Sequence, residues 1–211
     1  DWTFTVTKPA RITADTAVDS LTHAIEAFVS RRAFAYTDAF ALSAMPLITQ
    51  HVRTAYTDPE NAVAREGLML AASQAGMAFS NASVALVHGM SRPIGAHFHV
   101  AHGLSNAMLL PAVTAFSVSH APQRYAQCAR VMGMAEPADT DGKACEKLID
   151  ALQQLNQDLQ VPSPSANGLD HHAYHETLPL MAEQAMTSGS PQNNPRVPTA
   201  AEIESLYREI W

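Results

Sequence analysis

The sequence predicts an all-α, multi-helix fold, and three observations carry that reading. Apolar residues recur at spacings of three and four through most of the chain, helix-start signals precede several of these runs, and strict apolar–polar alternation is scarce. Asp15–Ser30 places Val18, Leu21, Ile25 and Phe28 on one stripe, with Thr13 or Asp15 available to cap its start. Tyr36–Tyr56 repeats the pattern with Phe40, Met45, Leu47, Ile48 and Val52, and Pro46 is expected to kink or divide it. Asp58-Pro59-Glu60 combines a capping acid, a proline and a first-turn acid. It is expected to open a helix that runs to about Ala78 on Val63, Leu68, Leu70, Ala71 and Met77. Further helices are expected at Ser105–Val118, Pro122–Met132, Lys143–Leu159 and Glu176–Thr187. A capping box, Thr199 to Glu202, opens the last one at Ala200–Ile210. This makes about eight helices in one domain spanning 1–211. Val87–Gly103, with Gly89, Pro93, Gly95 and Gly103, is expected to be irregular, and Val161–Asn167 and Gly189–Pro198 read as surface loops. Short strands are expected only at Trp2–Val6 and around His97–Val100.

Composition excludes several functions. With 47% hydrophobic and 16% charged residues the chain is globular rather than disordered. A net charge of −7 and no basic cluster beyond Arg31–Arg32 argue against nucleic acid as a partner. No apolar run is long enough to span a bilayer, and no signal peptide is visible at the N-terminus. Two cysteines, Cys128 and Cys145, form no CxxC and no disulfide scaffold, which points to a reducing cytoplasm. There is no Gly-x-Ser-x-Gly elbow and no Gly-rich phosphate loop.

The chemistry is concentrated in histidine. The chain has ten, four of them between His88 and His102. Asp19 and His23, four residues apart on the first helix, project from one face roughly 6 Å apart along the axis, a spacing that suits two ligands of one ion. Glu26, a turn further on, is placed to orient a ligand. His88-Gly89 and His102-Gly103 bracket the Gly/Pro-containing segment, each glycine allowing close approach of backbone or ligand. Three imidazoles and one carboxylate suit iron, zinc, nickel or copper and leave room for an exchangeable oxygen ligand. The same side chains also suit helix caps and core hydrogen bonds. His171, His172 and His175 sit in polar, acidic surroundings and read as surface.

Two stretches resemble the signatures of the iron-containing, group III alcohol dehydrogenases, of the dehydroquinate-synthase-like type. Asp15-Thr-Ala-Val-Asp-Ser-Leu-Thr-His-Ala-Ile-Glu26 is similar to the first. The second runs from Phe79 through His88-Gly-Met-Ser-Arg-Pro-Ile-Gly95 and on through His97-Phe-His-Val-Ala-His-Gly-Leu-Ser-Asn-Ala-Met-Leu-Leu-Pro111. The order, the separation and the closing Glu-Ile-Trp211 all agree with that family. The resemblance implies a metal, iron(II) or zinc(II), held by Asp19, His23, His88 and His102. It also implies hydride transfer between a small alcohol and NAD or NADP. Family members carry an N-terminal α/β nucleotide-binding domain that is absent from these residues, so the isolated chain is expected to be inactive. Arg92 stands where many members have a histidine near the nicotinamide, and a guanidinium there suits the carboxylate of a hydroxy-acid substrate. Ala101 replaces a proline common before the last His-Gly. His97, as a catalytic or cofactor-facing group, and Phe79, as a cofactor-facing wall, complete the expected cleft, with Phe98 beside them. Self-association is left open. The rival readings are a helical metal-dependent hydrolase, which a second metal would favour, and a non-catalytic helical interaction domain.

Overall fold

A computed structural model describes all 211 residues. It contains no strands; nine α-helices follow one another in chain order. They are α1 (Ala10–Val29), α2 (Ala35–Thr57), α3 (Ala62–Ala82), α4 (Leu86–Phe98), α5 (His102–Ser117), α6 (Pro122–Val131), α7 (Asp141–Asp158), α8 (His171–Thr187) and α9 (Ala200–Glu209). Helices α1, α2 and α3 pack on one another, α5 lies against α1, α6 pairs with α7, and α4 is held between α5 and α8. A single apolar cluster of 49 buried residues joins all nine. No single helix is long and apolar enough to cross a membrane.

The α1 stripe is as the periodicity predicts: Val18, Leu21, Ile25 and Phe28 are all buried. Its start is not. The helix begins at Ala10 behind Pro9, and Thr13 and Asp15 are buried inside it rather than capping it. Thr13 accepts a hydrogen bond from Arg65 (2.8 Å), and Asp15 is paired with Arg11 (2.6 Å). Helix α2 runs unbroken through Pro46, because α1 and α3 hold it on two sides. Asp58 closes α2 instead of opening α3; the cap of α3 is Asn61, whose side chain accepts from the Ala64 N–H at 3.1 Å.

The buried face of α3 also differs from the expected stripe. Val63, Leu70 and Met77 are exposed, and the inward face is Ala64, Gly67, Ala71, Ala75, Ala78 and Ala82. These small residues, three and four apart, let α3 lie close against α1 and α2.

The largest correction is Val87–Gly103. Most of it is helix α4, so the count is nine helices rather than eight. No local side chain caps α4; the Glu26 carboxylate of α1 accepts the Ala85 and Val87 N–H groups at 2.9 and 2.6 Å. The glycines serve packing: a Cβ on Gly89 would lie 2.9 Å from Pro191. Neither short strand forms. Trp2–Thr5 is a 3₁₀ turn, and His97 lies in the last turn of α4, with His99 closing that helix in a left-handed conformation (φ 56°).

Candidate metal centre

Asp19 and His23 come from the middle of α1, His88 from the first turn of α4 and His102 from the first residue of α5. Asp19 is their meeting point. Its Oδ1 lies 3.4 Å from His88 Nε2 and 3.5 Å from His102 Nε2, and its Oδ2 lies 3.9 Å from His23 Nδ1. Ligand atoms of Asp19, His23 and His88 all fall within 4.8 Å of one another, and this is the only group of three or more such residues in the chain. His23 is stacked between Phe79 (4.1 Å between ring centroids) and His88 (4.3 Å). Gly103 brings His102 in: its Cα lies so near the α1 backbone that a Cβ would sit 2.5 Å from the Asp15 carbonyl oxygen.

Glu26 fixes His88. Both are buried, and the carboxylate lies 2.6 Å from His88 Nδ1. Directing Nδ1–H at a carboxylate turns Nε2 toward Asp19, the arrangement of a ligating histidine with its orienting partner. Charge distribution follows. Burial alone would lower the His88 pKa, but Glu26 and Asp19 outweigh it and raise it to about 9. Burial and the neighbouring His88 charge lower His23 to about 4. Burial pushes the Asp19 carboxyl up, yet the His88 contact and the surrounding imidazoles hold it below the usual carboxylate range. His102 is lowered, by burial first and then by the charges of His88 and Arg92 against the pull of Asp19.

Sequence reasoning missed Asn106. It follows His102 by one turn on the same face of α5 and is fully buried. Its Nδ2 lies 2.6 Å from Asp19 Oδ1 and 3.2 Å from the Nε2 atoms of both His88 and His102. That one amide nitrogen therefore lies against a carboxylate oxygen and two ring nitrogens at once, while its own Oδ1 is buried without a partner. One carboxylate and three imidazoles converge here, and all belong to ligand types that a divalent iron or zinc ion accepts. The residues present fit such an ion.

The rest of the recess is about 500 Å³ and includes His23, Phe79, Asn81, His88, Arg92 and His102 along its wall. Arg92 donates to Ser190 Oγ (2.9 Å). Phe79 and Arg92 are thus brought to the cluster. His97 is not: its Nε2 lies 2.9 Å from Gln184 Oε1 on α8, away from the recess. Its position in the last turn of α4, instead of a strand, turns it that way. His171 and His175 stack on each other beside Trp211, at the far end of α8.

The family model described as Fe-containing alcohol dehydrogenase family, C-terminal, matches residues 13–211. The chain belongs to the iron-containing alcohol dehydrogenase family. A 1,3-propanediol dehydrogenase of Klebsiella pneumoniae is 36% identical over 204 residues, covering 97% of this chain and 52% of that protein. An NAD-dependent methanol dehydrogenase of Bacillus methanolicus is 35% identical, covering 96% and 52%. Among solved structures, a 1,3-propanediol oxidoreductase superposes with a TM-score of 0.95 at 35% identity, covering all of this chain and 55% of that one. The chain spans about half the length of these alcohol dehydrogenases, and its all-helical fold is that of their C-terminal domain. Within that fold the Asp19–His102 cluster lies where α1, α4 and α5 converge.

Proposed function

We propose that this chain is the metal-binding half of a metal-dependent alcohol dehydrogenase. Asp19, His23, His88 and His102 would hold one divalent ion, iron(II) or zinc(II). The observation that carries this is the convergence of three histidines, from three helices, on Asp19, with a single amide nitrogen set among them. A bound ion supplies Lewis acidity toward the oxygen of an alcohol or carbonyl substrate.

The chain's own residues do the positioning. Glu26 holds the His88 ring with Nε2 facing inward. Phe79 and His88 clamp the His23 ring face to face, which limits its rotation. The recess beyond leaves a path for a small alcohol or hydroxy acid. Phe79 and Arg92 form that wall. The redox partner is NAD or NADP; no Gly-rich phosphate loop occurs in these 211 residues, so its phosphates are held by another part of the enzyme. A nicotinamide held there would supply the hydride acceptor or donor for the substrate carbon.

Elemental analysis of protein purified anaerobically with iron and zinc both present tests the reading. One equivalent of metal is expected in the wild type, with loss in His88→Ala. A wild-type protein without metal, or equal content in the variant, would refute it. Two equivalents would transfer support to the hydrolase reading, for which the chain shows no second cluster.

A further inference from the structure

Thirteen residues are Lys or Arg, and eight of them are paired with a carboxylate. Two of the remaining five, Arg32 and Arg92, line the recess in front of the histidine cluster. They reach it from different places. Arg32 lies in the turn between α1 and α2, which is pinned by Ser30: the Ser30 hydroxyl donates to the Ala82 carbonyl (2.8 Å) and accepts from the Arg32 N–H (3.1 Å). Arg92 projects from the second turn of α4, and only one of its nitrogens is engaged, at Ser190. Ser190 is buried, so Arg92 is steered by a fixed group while most of its fork stays free.

The charge balance of the recess is one-sided. Its wall holds two guanidinium groups and no Asp or Glu; the only acids near the cluster are Asp19 and Glu26, each already directed at a histidine. Ser80, Asn81 and Ser83 make the remaining wall polar, with only Phe79 and Val84 apolar. A wall of this kind has no use for the methylene tail of a simple alcohol. A carboxylate, by contrast, meets a guanidinium through two parallel charge-assisted hydrogen bonds.

Resting on the metal-centre reading above, we propose that the substrate is a small alcohol, or the matching aldehyde, bearing a carboxylate that Arg92 and Arg32 clamp while its oxygen faces Asp19, His23, His88 and His102. Arg92 sets the orientation, because Ser190 fixes it. Arg32, from the turn between α1 and α2, supplies the second guanidinium of the clamp.

The test compares two probes of similar size, glycolate and ethylene glycol, by calorimetric titration at constant ionic strength. The chain is used with and without one equivalent of zinc, and zinc content is measured on each sample. Glycolate is expected to bind at least tenfold more tightly than ethylene glycol. Arg92→Gln and Arg32→Gln should each weaken glycolate by about tenfold and leave ethylene glycol unchanged. Both arginines are exposed, and circular dichroism checks that the variants keep the fold. Equal binding of the two probes, or glycolate binding indifferent to both substitutions, overturns the proposal. So does tight binding of inorganic pyrophosphate with none of glycolate, which would assign the arginines to the phosphates of a dinucleotide. A wild type that takes up no zinc refutes the metal centre separately, and the arginine dependence of glycolate binding is then decided on the zinc-free protein.

Discussion

Replacing Glu26 by alanine should damage the fold and the proposed metal centre together, since one carboxylate contacts both. Glu26 is buried on α1 and has three partners: the Ala85 and Val87 N–H groups at the start of α4, and His88 Nδ1. A hydrogen bond to a charged group contributes about 1.5–3 kcal/mol. Summing three would overshoot, because removing the carboxylate also removes its own desolvation penalty. Measured losses on breaking a buried ion pair, about 3–5 kcal/mol, already contain both effects. The expected loss for Glu26→Ala is therefore about 4 kcal/mol, a large part of the roughly 5–15 kcal/mol that holds a domain folded.

The assay is urea denaturation of the metal-free chain near pH 7, with the slope and midpoint compared against wild type. Zinc affinity is measured in the same buffer and should fall about 10- to 100-fold, as when the orienting partner of a ligating histidine is lost. Glu26→Gln separates the two roles. It keeps one oxygen for a backbone N–H but turns an NH₂ group on another donor, so most of the stability loss should remain. A destabilisation under about 1 kcal/mol would mean that α4 is not held at its start by this carboxylate. Unchanged zinc affinity would mean that Glu26 does not set the His88 ring.

Three further outcomes follow from the same geometry. Asn106→Ala removes the amide that donates to Asp19 and touches His88 and His102; metal affinity should fall about tenfold by competition titration, with wild-type affinity arguing that the amide is a bystander. Gly103→Ala places a Cβ 2.5 Å from the Asp15 carbonyl oxygen, so α5 must shift from α1. Thermal unfolding should show a loss of about 1–3 kcal/mol, together with weaker metal binding; unchanged values would show that His102 does not depend on that contact. Finally, metal-free stability should peak around pH 6.5. His88, raised to about 9, contributes stability that is complete below its ordinary 6.5 and lost as pH rises through 9. His23, lowered to about 4, contributes stability present above 6.5 and lost as pH falls through 4. Urea midpoints between pH 4 and 9.5 should trace both limbs, and a midpoint that rises throughout would contradict the His88 assignment.

The sequence showed the site more readily on α1 than elsewhere, and the reason is local geometry. Asp19 and His23 are four residues apart in a helix whose apolar stripe is unambiguous, so their shared face follows from the helical period. His88 and His102 lie more than sixty residues further on, and no spacing rule brings them back to α1. The family signature supplied that link. Asn106 left a fainter signal, its position one turn after His102, which says nothing until the partners across the recess are known. Arg32 left none, because a turn residue shows no period.

The misread elements share a cause. Periodicity weighs large apolar residues, and α3 buries small ones: its alanines and Gly67 face inward while Val63, Leu70 and Met77 face out. Cap rules look a few residues along the chain, whereas α4 is capped from α1 by Glu26, some sixty residues away. In both places the information lies in a neighbouring helix. That is also why α4 carries its glycines and proline without breaking, since Gly89 meets Pro191 and the remote carboxylate satisfies the first N–H groups. The site and the irregular-looking stretch are therefore one structure. The tertiary cap that lets Val87–Phe98 be helical is the same carboxylate that aims His88, so any change that loosens α4 must also loosen the histidine on its first turn.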